Sequence, residues 1–239
     1  MIDSWRQQLF QVLYTNRYLY WFASTVPFAG QWRTWQRLVL SRMQGNSALE
    51  IGCGLGDLLA DAIEAGYDCY AIEQSEEMVD AARHTLQHRH LGKSECIVQG
   101  VSQCLPFANC SFDNVISTFP NEYIYDLKTI YEIKRVLRPN GRLIIVLGAN
   151  LLPVNPIQTI LLLIPSFVYG HTTFLKHLEN IKFKDFWENE PKNTTCIDYS
   201  VKFGEQIPLE EQGFCCQYER VYTSYWEAYI LIGEISKIK

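Results

Sequence analysis

Three glycines at alternate positions, Gly52, Gly54 and Gly56, lie between an acid two residues upstream, Glu50, and an aspartate directly downstream, Asp57. Glycine has no Cβ and tolerates positive φ, so such a run lets a ligand approach bare backbone, with Cys53 riding on the bend. The run follows a short apolar stretch, Ala48 to Ile51, which reads as a strand. It opens onto Leu58 to Ala65, whose apolar positions 58, 59, 62 and 63 form a helical stripe. A helix starting near Asp57 aims its free N–H groups at whatever occupies the bend, which favours an anionic group there. A second acid, Glu73, closes the next apolar run, Cys69 to Ile72. At the end of a second strand, such a carboxylate accepts hydrogen bonds from both hydroxyls of a ribose.

The residue after the last glycine narrows the ligand. A dinucleotide fingerprint, G-x-G-x-x-G, needs glycine or alanine at position 57. Asp57 stands there, and a carboxylate beside a pyrophosphate costs about 1–4 kcal/mol for a close charge pair, depending on local dielectric. A zwitterionic amino-acid group tolerates nearby carboxylates, because its ammonium pairs with them. S-adenosylmethionine is therefore favoured over a nicotinamide dinucleotide.

The surrounding pattern supplies elements to position these residues. Ser75 is placed to cap a helix through Met78, Ala81, Ala82 and Leu86. Further strands are expected over Cys96 to Val98, Asn114 to Thr118 and Leu143 to Leu147. A helix is expected over 126–137, with a turn at Pro139-Asn140-Gly141. Strands alternating with helices at this spacing make a parallel sheet covered on both faces. The tail differs: Cys215 to Tyr222 and Ala228 to Ile235 are joined by about five residues, too few for a helical crossover, so they must pair antiparallel. Residues 1–45 read as two aromatic helices broken at Pro27 and Gly30, and residues 149–200 as an inserted cover with helices of its own.

These segments resemble the ordered motifs of class I S-adenosylmethionine-dependent methyltransferases, most closely their small-molecule, ubiquinone-biosynthesis-like (methyltransferase type 11) branch. Ala-Leu-Glu-Ile-Gly-Cys-Gly-Leu-Gly (48–56) is similar to the first motif, and Tyr-Ala-Ile-Glu (70–73) to the ribose-binding second. Leu105 to Ser117 resembles the approach to the fourth strand, and Arg135 to Leu143 the turn before the fifth. The resemblance implies an α/β, Rossmann-like three-layer sandwich with a seven-stranded, mostly parallel sheet and an antiparallel last strand. It implies that Glu50, Gly52, Cys53, Gly54 and Gly56 contact the methionine part, that Glu73 holds the ribose, and that Gln74 and Met78 pack near the adenine. The family carries an aspartate after the third strand to meet the adenine amino group. This chain has Val101 there, and Ser102, Gln103 or a backbone carbonyl is expected to substitute.

The sulfonium of such a cofactor already activates its methyl group. The protein must mainly align a nucleophile in line, an effect worth up to about 7–11 kcal/mol. Sites on open α/β sheets lie beyond the carboxyl ends of the strands. Phe119 is expected to pack on the methyl donor, with Glu122 and Tyr123 orienting the acceptor. His171 is the candidate base in the cover, next to Tyr169. No metal site is expected: His84 and His88 share a helix face with no carboxylate or cysteine completing a set.

Across 239 residues the net charge is −5 and no lysine/arginine block occurs, which disfavours nucleic acid. The eight cysteines form no C-x-x-C pair and read as reduced. The start has no basic-then-apolar signal pattern, so a cytoplasmic protein is expected. The most apolar run, Ile157 to Ile164, is too short to span a bilayer, which takes roughly 20 residues. It reads as a buried helix, with peripheral membrane contact through 149–170 as the alternative. The expected organisation is one domain: an aromatic cap over 1–45, a cofactor core over 46–148, the cover over 149–200, and the closing helix and strand pair over 201–239. The expected activity is in-line methyl transfer to a small apolar or aromatic acceptor, with oligomeric state left open. The alternatives are a non-catalytic S-adenosylmethionine-binding protein and a nicotinamide-dependent oxidoreductase.

Overall fold

The computed structural model describes residues 31–152 and 207–235, together with Tyr18, Leu19, Trp21, Phe28 and Gly30. The expected cover therefore lies almost wholly outside the described residues, as do Tyr169, His171 and the run Ile157 to Ile164. Most of the expected N-terminal cap lies outside them too.

A short helix α1 (Trp32–Gln36) runs into a 3-10 helix (Arg37–Arg42) and leads to the core. The core follows as β1 (Ser47–Ile51), α2 (Asp57–Glu64), β2 (Asp68–Glu73), α3 (Glu76–His88), β3 (Ile97–Gln99) and β4 (Phe112–Thr118). It continues with α4 (Leu127–Val136) and β5 (Leu137–Leu151), and closes with β6 (Phe214–Tyr222) and β7 (Trp226–Ile235). The seven strands form one sheet in the order β3-β2-β1-β4-β5-β7-β6. The first five are parallel, and β7 runs antiparallel to both β5 and β6. The order reverses at β1, whose neighbours are β2 and β4. In an open α/β sheet such a switch point opens a crevice beyond the carboxyl ends of the strands.

Alternation along the strands divides the core into two layers. Leu49, Ile51, Val115, Leu143, Ile145 and Leu231 face α4, where Ile130, Ile133 and Val136 meet them. Ala48, Cys69, Ala71 and Ile97 face Leu59, Ala60 and Ala62 of α2 and Val79, Ala82 and Leu86 of α3. The 3-10 segment extends this second layer, with Val39 packed on Ile116, Ile144 and Val146. Each fully buried leucine or isoleucine is worth about 1.5–3 kcal/mol over an exposed one. Helix ends follow the side chains: Ser75 caps α3 by accepting from the Met78 N–H (3.4 Å), and Asp126 caps α4 through the Lys128 N–H (3.0 Å).

One strand departs from expectation. β5 begins at Leu137, six residues before the predicted start, because Pro139-Asn140-Gly141 bulges the strand instead of ending it. Leu137 pairs with Phe112, the register then shifts, and Arg142 pairs with Asn114. Asn140 takes positive φ (65°) at the bulge.

One carboxylate fastens the N-terminal segment to α2, beside its bonds to the sheet from Gln36 to Thr118 and from Arg42 to Glu219. Asp61 of α2, only 6% exposed, accepts from Arg33 (2.5 and 3.2 Å), Arg37 (2.6 and 3.1 Å) and Arg89 (2.7 Å). Three guanidinium groups hold this carboxyl well below the ordinary carboxylate range, despite the opposing effect of burial. Asp61→Ala is expected to destabilise the protein by about 2–3 kcal/mol, because three guanidinium groups lose their shared carboxylate and Arg89 keeps only Glu64. Urea unfolding reads this, and a loss under about 0.5 kcal/mol would show that the cluster carries no weight.

Candidate cofactor and acceptor site

The glycine bend lies at the switch point. Gly52, Gly54 and Gly56 have φ of 77°, 51° and 77°, a region that side-chain-bearing residues rarely adopt. The Gly52 N–H donates to the Ile72 carbonyl (2.8 Å), tying the start of the bend to β2. A Cβ on Gly52 would meet only the Tyr123 hydroxyl, at 3.3 Å, so this backbone otherwise faces open space. Gly56 serves a different purpose. A Cβ there would stand 2.8 Å from the Cβ of Ala82, so this glycine lets α2 start hard against α3. Its Cα faces that helix contact and not the crevice.

Glu73 reaches across from β2 to hold the bend. One of its carboxylate oxygens accepts from the Gly54 N–H and the other from the Ser75 N–H, both at 3.0 Å. Each oxygen keeps a second lone pair for a ligand hydroxyl. Glu50 lies on β1, between Ala71 of β2 and Ile116 of β4. It is 1% exposed, and neither carboxylate oxygen has a hydrogen-bond partner. Burial pushes this carboxyl up to about 8, reinforced by the negative charges of Glu73, Asp57 and Asp61. Burial also raises Asp57, with Arg33 opposing, and drives the buried Cys53 thiol well above its usual range, which keeps it unreactive.

S-adenosylmethionine suits this donor set. Bare backbone at Gly52, the anchored carboxylate of Glu73 and the orphaned carboxyl of Glu50 together fit a ligand with ribose hydroxyls and positive charge. Met78 is fully buried in α3, and Gln74 is exposed just beyond Glu73. Val101 is 40% exposed. Ser102 points the other way: it is buried, and its hydroxyl is hydrogen-bonded to Thr129 of α4 (2.9 Å) and Gln103 (3.3 Å). That hydroxyl is already engaged in core packing, so the expectation that Ser102 meets the adenine is not supported by this geometry.

Beyond β4 the expected acceptor residues separate. Phe119 adopts positive φ (51°), strain of the kind that gathers at functional sites. Its ring stacks on Trp32 at 4.1 Å and meets Trp35 edge-on at 6.3 Å. Phe28 and Trp226 complete this aromatic cluster against Trp35. The Tyr123 hydroxyl is hydrogen-bonded to Ser117 (2.7 Å) and donates to the Ile51 carbonyl (3.2 Å), bridging the ends of β1 and β4. It is fixed beside Gly52, so it braces the bend. Glu122 is exposed on the 3-10 turn Glu122–Tyr125. Sequence reasoning did not single out Ser117 or the pairing of Trp32 with Phe119. The density of aromatics before residue 36 was the available signal. Among the described residues, no group of three or more histidine, cysteine or acidic side chains is placed to hold a metal. No helix of the described residues is long and apolar enough to cross a membrane.

Comparison with known proteins now places the domain. Residues 49–145 match the methyltransferase domain family. A demethylmenaquinone methyltransferase from Symbiobacterium thermophilum is 29% identical over 149 residues, covering 59% of this chain and 58% of that protein. The ubiquinone/menaquinone biosynthesis C-methyltransferase UbiE of Hahella chejuensis is 30% identical, covering 52% of each. The chain thus spans only about half to three-fifths of the length of these relatives. The fold is also that of a Methanococcus maripaludis protein solved as a candidate S-adenosyl-L-methionine-dependent methyltransferase, with a TM-score of 0.54, 18% identity and 89% of each chain covered. Residues 49–145 are thus similar to class I S-adenosylmethionine-dependent methyltransferases, a class whose cofactor is S-adenosylmethionine.

Two outcomes follow. Gly52→Ala is expected to weaken S-adenosylmethionine binding at least tenfold in calorimetry, because a side chain there both strains the backbone and faces the ligand; unchanged affinity would remove the bend from the site. The second concerns pH. Glu50 binds its proton more tightly in the folded chain (about 8) than in the unfolded one (4.5). Its contribution to stability is therefore full below about pH 4.5 and lost as pH rises through about 8. The stability difference between Glu50→Gln and the wild type should thus grow by a few kcal/mol from pH 5 to pH 8, read by urea unfolding. A constant difference would contradict the burial of an unpaired carboxyl.

Proposed function

We propose that this protein transfers the methyl group of S-adenosylmethionine to a small aromatic acceptor of the quinone class, by in-line displacement. The observation that carries this reading is the Trp32–Phe119 stack, set beyond β4 in a domain whose relatives are named for menaquinone and ubiquinone methylation. A planar apolar ring is the ligand such walls favour.

The cofactor, when bound, supplies an electrophilic methyl carbon on a sulfonium. The chain's own residues do the rest. Glu73, held by two backbone N–H groups, presents its free lone pairs to the ribose hydroxyls. Gly52 keeps the bend clear, and Tyr123, pinned to Ser117 and Ile51, stops the bend from collapsing inward. Gln74, Met78 and the backbone near Val101 line the adenine side. Phe119 and Trp32, stacked on each other, offer an outer ring face to the acceptor and shield the line of attack from water. Glu122 and His171 are the groups proposed to orient or deprotonate an acceptor hydroxyl, with His171 outside the described residues. A peripheral membrane contact through 149–170 would suit a lipid-tailed acceptor. A nicotinamide-dependent activity is not favoured, given Asp57 and the family match.

The test is methyl transfer from labelled S-adenosylmethionine to a short-chain demethylmenaquinone. Turnover is expected, with methyl appearing on the ring. Trp32→Ala should raise the acceptor KM about tenfold while leaving S-adenosylmethionine affinity within about twofold. Glu73→Ala should do the reverse, costing cofactor affinity about tenfold or more. Equal effects of Trp32→Ala on both ligands would contradict the division of the site.

A further inference from the structure

The least expected feature of the site is the state of Glu50. Its carboxyl is buried, neither oxygen has a partner, and the charged groups acting on it are all acids: Glu73 from β2, and Asp57 and Asp61 from α2. The Cys53 and Cys69 thiols lie close enough to sense it and are held neutral by burial. The arginines gathered at Asp61 are engaged with acids other than Glu50: Arg33 with Asp61 and Asp57, Arg37 with Asp61, and Arg89 with Asp61 and Glu64. A lone carboxylate in such surroundings is costly, so the group keeps its proton until a cation arrives. Among the described residues, no cation is paired with it.

Building on the methyl-donor reading above, we propose that Glu50 reads the charge of the cofactor. It releases its proton to solvent when S-adenosylmethionine binds, and recovers one from solvent once methyl transfer has turned the sulfonium into a neutral thioether. The positive charge leaves with the methyl group, so the balance closes without any further reactant. The carboxyl's ordinary position near 4.5, raised to about 8 in the folded chain, leaves it protonated at neutral pH before binding. Binding of a net cation must then compete with one proton; the amino-acid end is a zwitterion in substrate and product alike, so the product, lacking the sulfonium, carries no net charge and competes less well. Glu50 thereby favours substrate over product as pH rises, which assists exchange of spent cofactor.

Isothermal titration of the full chain tests this between pH 5.5 and pH 7.0, below the range in which the ligand's own α-amino group titrates. Buffers of different ionisation enthalpy count the protons exchanged. The expected result is release of close to one proton per S-adenosylmethionine, and a Kd that tightens about thirtyfold across the range. S-adenosylhomocysteine should show less than about a threefold change. Glu50→Gln should bind with a flat Kd and no proton exchange. Should that variant misfold, infrared difference spectra of the wild type give an independent reading. The protonated carboxyl band should vanish on adding S-adenosylmethionine and persist with S-adenosylhomocysteine. Tight binding with no pH dependence, equal behaviour of the two ligands, or a slope retained in Glu50→Gln would overturn the inference while leaving the donor reading intact. Absence of S-adenosylmethionine binding at every pH would overturn the donor reading itself, and this one with it.

Discussion

The hydrogen bonds from Gly54 and Ser75 to the carboxylate of Glu73 are what the rest of the site depends on. They tie the end of β2 to the bend after β1, at the point where the strand order reverses. Three positive-φ glycines make the bend geometrically accessible, but flexibility alone would leave it without a defined shape. The Glu73 carboxylate gives it one, and Gly52 bonded to Ile72 and Tyr123 braced on Ile51 add further constraints. A ligand meets a preformed surface and pays little to organise it.

The same region concentrates acidic groups. Glu50, Asp57, Asp61 and Glu73 come from two strands and one helix, and only Asp61 is fully matched by arginines. That imbalance costs the unliganded protein stability, and a cationic ligand offsets it. Stability and recognition are thus in tension at this bend, as they commonly are where function demands unpaired groups. The aromatic cluster of Phe28, Trp32, Trp35, Phe119 and Trp226 is a separate, apolar problem solved on the neighbouring strands. The polar bend and the apolar cluster therefore present different chemistries at the carboxyl ends of the neighbouring strands β1 and β4.

Much of this was legible in the residues. Alternation and glycine spacing fix β1, β2, β4 and their helices to within a residue or two, and the short tail connection dictates the antiparallel pair. The Glu73 position follows from strand length alone. Other features need three dimensions. Gly56 looks like a ligand contact in sequence but exists for Ala82, a neighbour 26 positions away. Ser102 sits beside the missing aspartate position, yet its hydroxyl is taken by Thr129, which no local pattern announces. The length of β5 was misjudged because Pro139-Asn140-Gly141 carries turn chemistry that the sheet absorbs as a bulge. The lone state of Glu50 is a property of everything around it and is invisible in any single segment.

The position of a bound adenosyl ligand tests the role of Glu73 and the glycine bend most directly. A crystal structure with S-adenosylmethionine should show both ribose hydroxyls within hydrogen-bond distance of Glu73 and the methionyl group over Gly52. A ligand found elsewhere, or a bend filled by the protein's own side chains with Glu73 untouched, would contradict it.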